Sequence, residues 1–263
     1  MKERVLIIRS SALGDVAMTI PVIYPLVEVY KEVEFYFLSL PKHKSLLLDA
    51  PANLHFIPMD KNGKHKGIKG LWRLYKELRG MNFSYVADLH GLIRSWALDM
   101  LLKCSSSCKV AIINKGREEK SRLIGHSNGV LYPLESTFQR YKEVFSKLGF
   151  ETGEVFTPFC LEKENHEGSY WIGIAPFAKH LGKCYPVERV EEVVKMLSSY
   201  PTIKIFLFGG GEKEKSICEE WEKKYPHTYS TIGEGDLRAD MKRLGEIDIL
   251  LSMDSANMHI ASL

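Results

Sequence analysis

No apolar run in this chain of 263 residues approaches the roughly eighteen that a membrane-spanning helix needs. The opening Met1-Lys2-Glu3-Arg4 leads straight into a strand pattern, without the apolar core of a signal peptide. The expectation is a soluble, cytoplasmic protein. No CxxC pair occurs among Cys104, Cys108, Cys160, Cys184 and Cys218. Cys104 and Cys108 merely flank three serines, and without a second pair or nearby histidines a zinc ion would lack ligands, so reduced thiols and no metal are expected. Low-complexity composition is missing as well: 45% hydrophobic and 26% charged residues exclude disordered and fibrous classes and leave material for two small domains.

What is present is first an uneven charge. Residues 1–160 hold 23 basic and 16 acidic side chains, a balance of +7, whereas residues 161–263 hold 13 and 17, a balance of −4. A basic half suits an anionic partner, because clustered Lys and Arg raise the local anion concentration. A solvated surface would show the same count.

Short β-branched or aromatic runs at 5–8, 33–38, 54–57, 85–87 and 110–113 alternate with helical patterns at 16–30, 68–78 and 92–102. A helical stretch at 138–148 follows, then a segment, 149–168, that is rich in Glu, Thr, Gly and Pro and without periodicity. The domain linker is expected there, giving domains 1–160 and 161–263. A second series alternates strands at 170–175, 203–208, 228–231 and 247–251 with helices at 187–197, 213–224 and 237–244. This is the βαβ rhythm of parallel, doubly wound sheets, and two Rossmann-like α/β domains are the economical reading. The chain ends on Ala261-Ser262-Leu263 with no cap or stop signal, so the second domain is expected to be incomplete.

Four loops stand where open α/β sheets bind ligands, beyond the carboxyl ends of strands. Arg9-Ser10-Ser11-Ala12-Leu13-Gly14-Asp15 precedes the first helix, and Asp15 suits a helix cap and a catalytic carboxylate equally well. Lys183, in the loop before the helix at 187, would meet a phosphate near a helix start, although a lone lysine is more often solvated. Gly209-Gly210-Gly211-Glu212 lets a ligand approach the backbone, with Glu212 as an acceptor for ribose or adenine donors. A glycine triplet is weak evidence, and without GxGxxG spacing it does not support a nicotinamide site. Finally Asp254-Ser255-Ala256-Asn257-Met258-His259 opens a helix with small residues, offering backbone N–H groups to a diphosphate and His259 one turn on.

The motifs RSSALGDVAMTIP at 9–21 and SMDSANMH at 252–259 resemble the hallmarks of the ADP-heptose:lipopolysaccharide heptosyltransferases, glycosyltransferase family 9. Lys183 within KCYP and the segment 208–212 add to the likeness, which extends over the whole chain. The resemblance implies a GT-B arrangement of two Rossmann-like domains and an inverting, metal-independent transfer of heptose from ADP-heptose to a lipopolysaccharide inner-core acceptor. It implies that Asp15 is the base that takes the acceptor proton. Donor binding then falls to Lys183, Gly210, Gly211, Glu212, Asp254, Ser255, Ala256 and His259, with Lys183, Ser255, Ala256 and His259 stabilising the departing diphosphate. Ala256 stands where the family often has Gly, and Ala178-Lys179 replaces a more usual pair of hydroxyl residues. The family's chain runs on past this histidine.

On the acceptor side, Lys61, Lys64, Lys66, Lys69, Arg73, Lys76 and Arg79 stand against Glu77 alone, and Lys115, Arg117, Lys120 and Arg122 form a second group. Ser11, Lys61, Lys64, Arg94 and Arg122 are the expected contacts to an anionic glycolipid, with peripheral contact at the cytoplasmic face of the inner membrane. Nucleic acid is not an expected partner, since these basic stretches lack interleaved aromatics. The alternative to a transferase is a noncatalytic nucleotide-sugar-binding module.

Overall fold

The computed structural model describes residues 2–125, 133–154 and 166–263. Most of the expected linker, the boundary at 160/161 and Cys160 lie outside the described residues. The described chain divides into two compact units: Met1–Ser11 with Met18–Pro158, and Ala12–Ala17 with Phe159–Leu263.

The first unit is built on a parallel sheet of β1 (Arg4–Ile8), β2 (Glu34–Ser39), β3 (Leu54–Pro58), β4 (Tyr85–Asp88) and β5 (Lys109–Ile112), in the order β3-β2-β1-β4-β5. β1 is central, with Val5 paired to both Phe35 and Tyr85 and Ile8 to both Leu38 and Asp88. Its residues Val5 to Ile8 are all buried, which is why this strand reads as a continuous apolar run rather than an alternating one.

The expected single helix at 16–30 is two helices, α1 (Leu13–Ala17) and α2 (Ile20–Val29). Pro21 marks the boundary: a proline ring crowds the carbonyl four residues back and offers no N–H, so the first turn of a new helix is its favoured place, although α2 also carries Pro25 in its interior. The carbonyl of Thr19 accepts instead from the N–H groups of Val22 and Ile23 at 3.1 and 2.9 Å. α1 belongs with the second unit.

α3 (Gly67–Arg79) and α4 (Ile93–Ser105) lie on one side of the first sheet, where Leu74, Tyr75, Leu78, Leu98 and Leu102 pack with Leu6, Ile8, Leu38 and Val86. Between β5 and the next long helix is α5 (Arg117–Gly125), which buries none of its side chains and had no apolar periodicity to announce it. α6 (Thr137–Leu148) starts on Ser136, whose Oγ accepts from the Gln139 N–H at 3.1 Å, and stops at Gly149, whose φ of 94° suits glycine.

The second unit has a four-stranded parallel sheet of β6 (Tyr170–Ala175), β7 (Ile203–Leu207), β8 (Thr228–Ser230) and β9 (Ile249–Ser252), in the order β8-β7-β6-β9. Its helices are α7 (Val187–Leu197), α8 (Glu212–Lys224), α9 (Leu237–Glu246) and α10 (Ala256–Ala261). Val190, Val194, Cys218 and Trp221 from α7 and α8 cover Ile174, Ile205 and Leu207 of the sheet. The last strand begins two residues later than the apolar run implies, since Ile247 closes α9 and is buried there. Both sheets are therefore the Rossmann-like α/β layers that the strand and helix rhythm implies.

Candidate active site

In the second unit the chain reverses its direction of winding at β6, with β7 on one side and β9 on the other. Loops leaving the carboxyl ends of β6 and β9 thus part around a crevice, the usual ligand address of an open α/β sheet. A pocket of about 580 Å³ is found there. Four stretches supply its wall: 12–15 at the start of α1, 177–180 with Lys183 after β6, Gly209, Gly210 and Glu214 after β7, and 254–257 with His259 after β9.

Asp15 stands in the first turn of α1 and its Oδ2 accepts the N–H of Ala12 at 3.0 Å. It is not the cap of a helix beginning at Val16. It reaches back to the residue before the helix, an arrangement that orients the carboxylate on the pocket wall.

The loop after β6 is fastened at three points. Met253 continues the ladder by donating to the Ala175 carbonyl at 3.1 Å, the Tyr185 N–H points to the Met253 Sδ at 3.2 Å, and the Cys184 thiol to the Ala178 carbonyl at 3.3 Å. A single 3-10 turn, Leu181–Lys183, then presents Lys183. Its ammonium is not solvated alone: Nζ lies 2.6 Å from Oδ2 of Asp254, and His259 Nε2 lies 3.8 Å from Oδ1 of the same carboxylate. The Lys183 hydrogen bond and charge hold the Asp254 carboxyl below the usual range, with His259 adding in the same direction. Ser255 precedes α10, with its Oγ 3.4 Å from that of Ser252.

The glycine loop differs in detail from expectation. Gly210 lines the pocket, whereas Gly211 and Glu212 do not. Gly211 has φ +91° and turns the chain into α8, of which Glu212 is the first residue. The acid that looks back at the loop is Glu214, whose Oε2 accepts the Gly210 N–H at 2.7 Å. A clue was available: with Gly211 before the helix, the third helical position is 214, where Glu commonly folds back onto the preceding turn. Phe177 and Asn257 also line the pocket without having been singled out.

The residues expected to contact an acceptor all belong to the first unit and do not form one cluster. Lys64 pairs with Glu77 at 3.2 Å, and Arg94 donates from Nη2 to the His65 carbonyl, so these two meet around one loop. That loop is rigidly built. Oδ1 and Oδ2 of Asp60 accept the N–H groups of Gly63 and Lys64, and buried His65 accepts the Asp60 N–H on Nδ1. Lys61 is exposed on the same loop. Arg122 is elsewhere, on the wall of a second pocket of about 450 Å³ with Gly91, Lys115 and Arg117. Ser11 is the last residue of the first unit's opening segment. Beneath the second pocket, buried Arg140 donates to the Asn114 carbonyl at 3.2 Å and to Glu119 at 2.6 Å.

Among the described residues, no three His, Cys, Asp or Glu side chains are grouped as metal ligands. No helix of the described residues is long and apolar enough to cross a membrane.

Known proteins fit this architecture. The chain is 22% identical over 266 residues to the lipopolysaccharide core heptosyltransferase OpsX of Haemophilus influenzae, spanning 97% of this chain and 75% of that protein. It is 24% identical over 234 residues to lipopolysaccharide heptosyltransferase 1 of Campylobacter coli, spanning 82% and 67%. Among solved structures, the E. coli heptosyltransferase WaaC with ADP-2-deoxy-2-fluoro heptose superposes with a TM-score of 0.72 at 17% identity, over 98% of this chain and 85% of that one. E. coli ADP-heptose lps heptosyltransferase II gives 0.69 at 16% identity, over 98% and 81%. These two share the fold. The family model for glycosyltransferase family 9 (heptosyltransferase) matches residues 71–262. That span is most of the chain, and on it the protein belongs to glycosyltransferase family 9, an enzyme family of two Rossmann-like α/β units.

Proposed function

We propose that this chain moves a heptosyl group from ADP-heptose to a hydroxyl of an anionic lipopolysaccharide inner-core acceptor, with inversion at the anomeric carbon and without a metal. The observation that carries this reading is that Asp15 shares one pocket with the Lys183, Asp254 and His259 cluster. A carboxylate on one wall and a lysine and histidine on another are the parts that such a displacement requires. The names of the relatives, lipopolysaccharide heptosyltransferases, support the donor and acceptor classes.

In this reading Asp15 takes the proton of the acceptor hydroxyl as its oxygen attacks the anomeric carbon. The bond to the diphosphate breaks on the opposite face. Lys183 and His259, with the backbone N–H groups of Ser255 and Ala256, take up the negative charge that develops on the leaving oxygen. The lysine has three donor protons and therefore serves Asp254 and a phosphate oxygen together. Asp254 keeps the ammonium aimed, and Gly210 allows the nucleotide close to the backbone. Gly211 and Glu212 act through the shape of that turn. Residues of the first unit, Ser11, Lys61, Lys64, Arg94 and Arg122, hold the carboxylates and phosphates of the acceptor, and a cytoplasmic location supplies the ADP-sugar.

Asp15→Asn tests the assignment. Transfer is expected to fall by a factor of roughly 100 or more, the usual worth of a general base, while calorimetric ADP affinity stays within about threefold. Equal loss of ADP binding would give Asp15 a purely structural role as the partner of Ala12. ADP binding by the native chain with no transfer to any core acceptor would favour a nucleotide-binding module, and failure to select ADP over UDP and NAD would reject the donor.

A further inference from the structure

The pocket at the carboxyl ends of β6 and β9 is poor in positive charge for a site that takes a diphosphate. Among the described residues, Asp15, Glu214 and Asp254 are the acids that line it, against the lysines Lys179 and Lys183. Lys183 brings no net charge, because its Nζ lies 2.6 Å from Oδ2 of Asp254 and the two cancel. His259 is turned to the same carboxylate, 3.8 Å from Oδ1. The terminal phosphate of a departing nucleoside diphosphate carries about −1.5 to −2 charges near neutral pH. A lysine already paired to a carboxylate can give that phosphate a hydrogen bond, but the pair as a whole does not offset its charge.

Lys179 stands four residues before Lys183 in the loop after β6, and that loop is drawn into a ring. The Cys184 thiol points to the carbonyls on both sides of Lys179, 3.3 Å from that of Ala178 and 3.6 Å from that of His180. The Lys183 N–H donates to the same His180 carbonyl at 2.9 Å. The backbone carrying Lys179 is thereby fixed beside the backbone carrying Lys183, and both residues line the one pocket.

Lys179 is exposed and, among the described residues, forms no ion pair. An exposed loop lysine is ordinarily a solvated one. What sets Lys179 apart is its place: it is the pocket lysine whose charge no carboxylate of the described residues has taken.

We propose that Lys179 is the second cation of the diphosphate site: it meets the terminal phosphate while Lys183 stays paired to Asp254, and it makes the pocket select nucleoside diphosphates over monophosphates. The inference deepens the donor assignment and rests on reading this pocket as a diphosphate site. When the bond between the anomeric carbon and the diphosphate oxygen breaks, its electron pair goes to that oxygen. The Lys179 ammonium offsets the charge developing on that phosphate, and no proton changes hands.

Calorimetric titration of inorganic pyrophosphate, ADP and AMP into the full chain tests this. Lys179→Met is set against Lys195→Met, which removes the same charge from the exposed last turn of α7, away from the pocket lining. Affinity for pyrophosphate and ADP should fall about tenfold in Lys179→Met and stay within about twofold of native in Lys195→Met, with AMP affinity kept and melting curves unchanged. Lys179→Arg should recover most of the loss. Unchanged affinity for pyrophosphate and ADP in Lys179→Met makes Lys179 a solvated surface lysine and overturns the proposal. Equal loss of ADP and AMP, or no pyrophosphate binding by the native chain, overturns it as well. Pyrophosphate binding that needs Lys179, without preference for ADP over UDP, would reject the ADP donor and leave the second cation standing. ADP-selective binding that ignores Lys179→Met would reject the second cation alone.

Discussion

The backbone of Gly14 lies against the imidazole ring of His259. A Cβ built on Gly14 would stand 2.5 Å from Cδ2 of that ring and 3.5 Å from the Cα of Ala256. Gly14 is in α1 and has no positive φ, so glycine is present for space and not for conformation. The close approach lets α1 pack on α10 and brings Asp15 and His259 to the same pocket.

Gly14→Ala therefore displaces the imidazole without straining the backbone of α1. ADP affinity is expected to fall about tenfold, which corresponds to ~1.4 kcal/mol. Calorimetry on a variant with native circular dichroism decides the matter; unchanged affinity would mean that His259 has no part in donor binding.

Lys183→Ala separates binding from stability. The Lys183 and Asp254 side chains are each about half exposed, and a pair of that kind contributes at most about 1 kcal/mol to folding. The melting temperature should move by a few degrees at most, while ADP affinity falls by about 10- to 100-fold. A large drop in melting temperature with unaltered affinity would make the pair structural.

Asp99 gives the fold a pH dependence. It is buried in α4, and burial followed by the charge of Asp88 pushes its carboxyl up to about 9. Asp88 in turn accepts the N–H groups of His90 and Gly91 on Oδ1 at 2.8 and 2.9 Å, so the protonated Asp99 is the natural donor to its other oxygen. An acid whose folded value is raised binds a proton that the unfolded chain has already released. Its stabilisation is complete below the ordinary carboxylate range and is lost as pH rises towards about 9, at no more than about 1.4 kcal/mol per pH unit. Asp99→Asn keeps a donor and removes the proton, so denaturant midpoints between pH 5 and 9 should slope less in this variant than in the native chain. Parallel slopes would refute the shared proton.

Arg140 supports the pocket lined by Arg122. Its guanidinium is buried, bonded to Asn114 and Glu119 and 3.6 Å from Glu135, and Gly116 at φ +60° passes so closely that a Cβ would collide with it. Arg140→Met is expected to cost about 1–2 kcal/mol, because the Asn114 carbonyl loses its donor while Glu119, about two-fifths exposed, stays in contact with water. Urea unfolding measures this, and a cost under about 1 kcal/mol would show that the loop at 113–117 holds itself.

Much of the site was legible because its loops sit at predictable places. Strand, loop and helix follow one another at 4–17 and at 249–261, and small or acidic residues at such junctions mark ligand addresses whatever the remainder of the chain does. Two errors had local causes. The apolar spacing across 16–30 concealed the break that Pro21 marks, and Glu212 was read as the loop's acid although the third residue of the helix, Glu214, is the one that turns back. Asp99 also left a trace: with Ser95, Leu98 and Leu102 it occupies the inward face of α4, an unusual position for a lone carboxylate.

The sequence by itself determined the alternation of buried strands and amphipathic helices, because apolar period and turn chemistry act over a few residues. It also placed Asp15, Lys183, Gly210 and His259 at the ends of strands. Only the tertiary structure decided that α1 packs with the second unit, that Lys183 faces Asp254, and that Asp88 and Asp99 meet out of water. Each of these depends on which strands become neighbours. That choice rests on burial summed over a whole sheet, and no local stretch of sequence carries it.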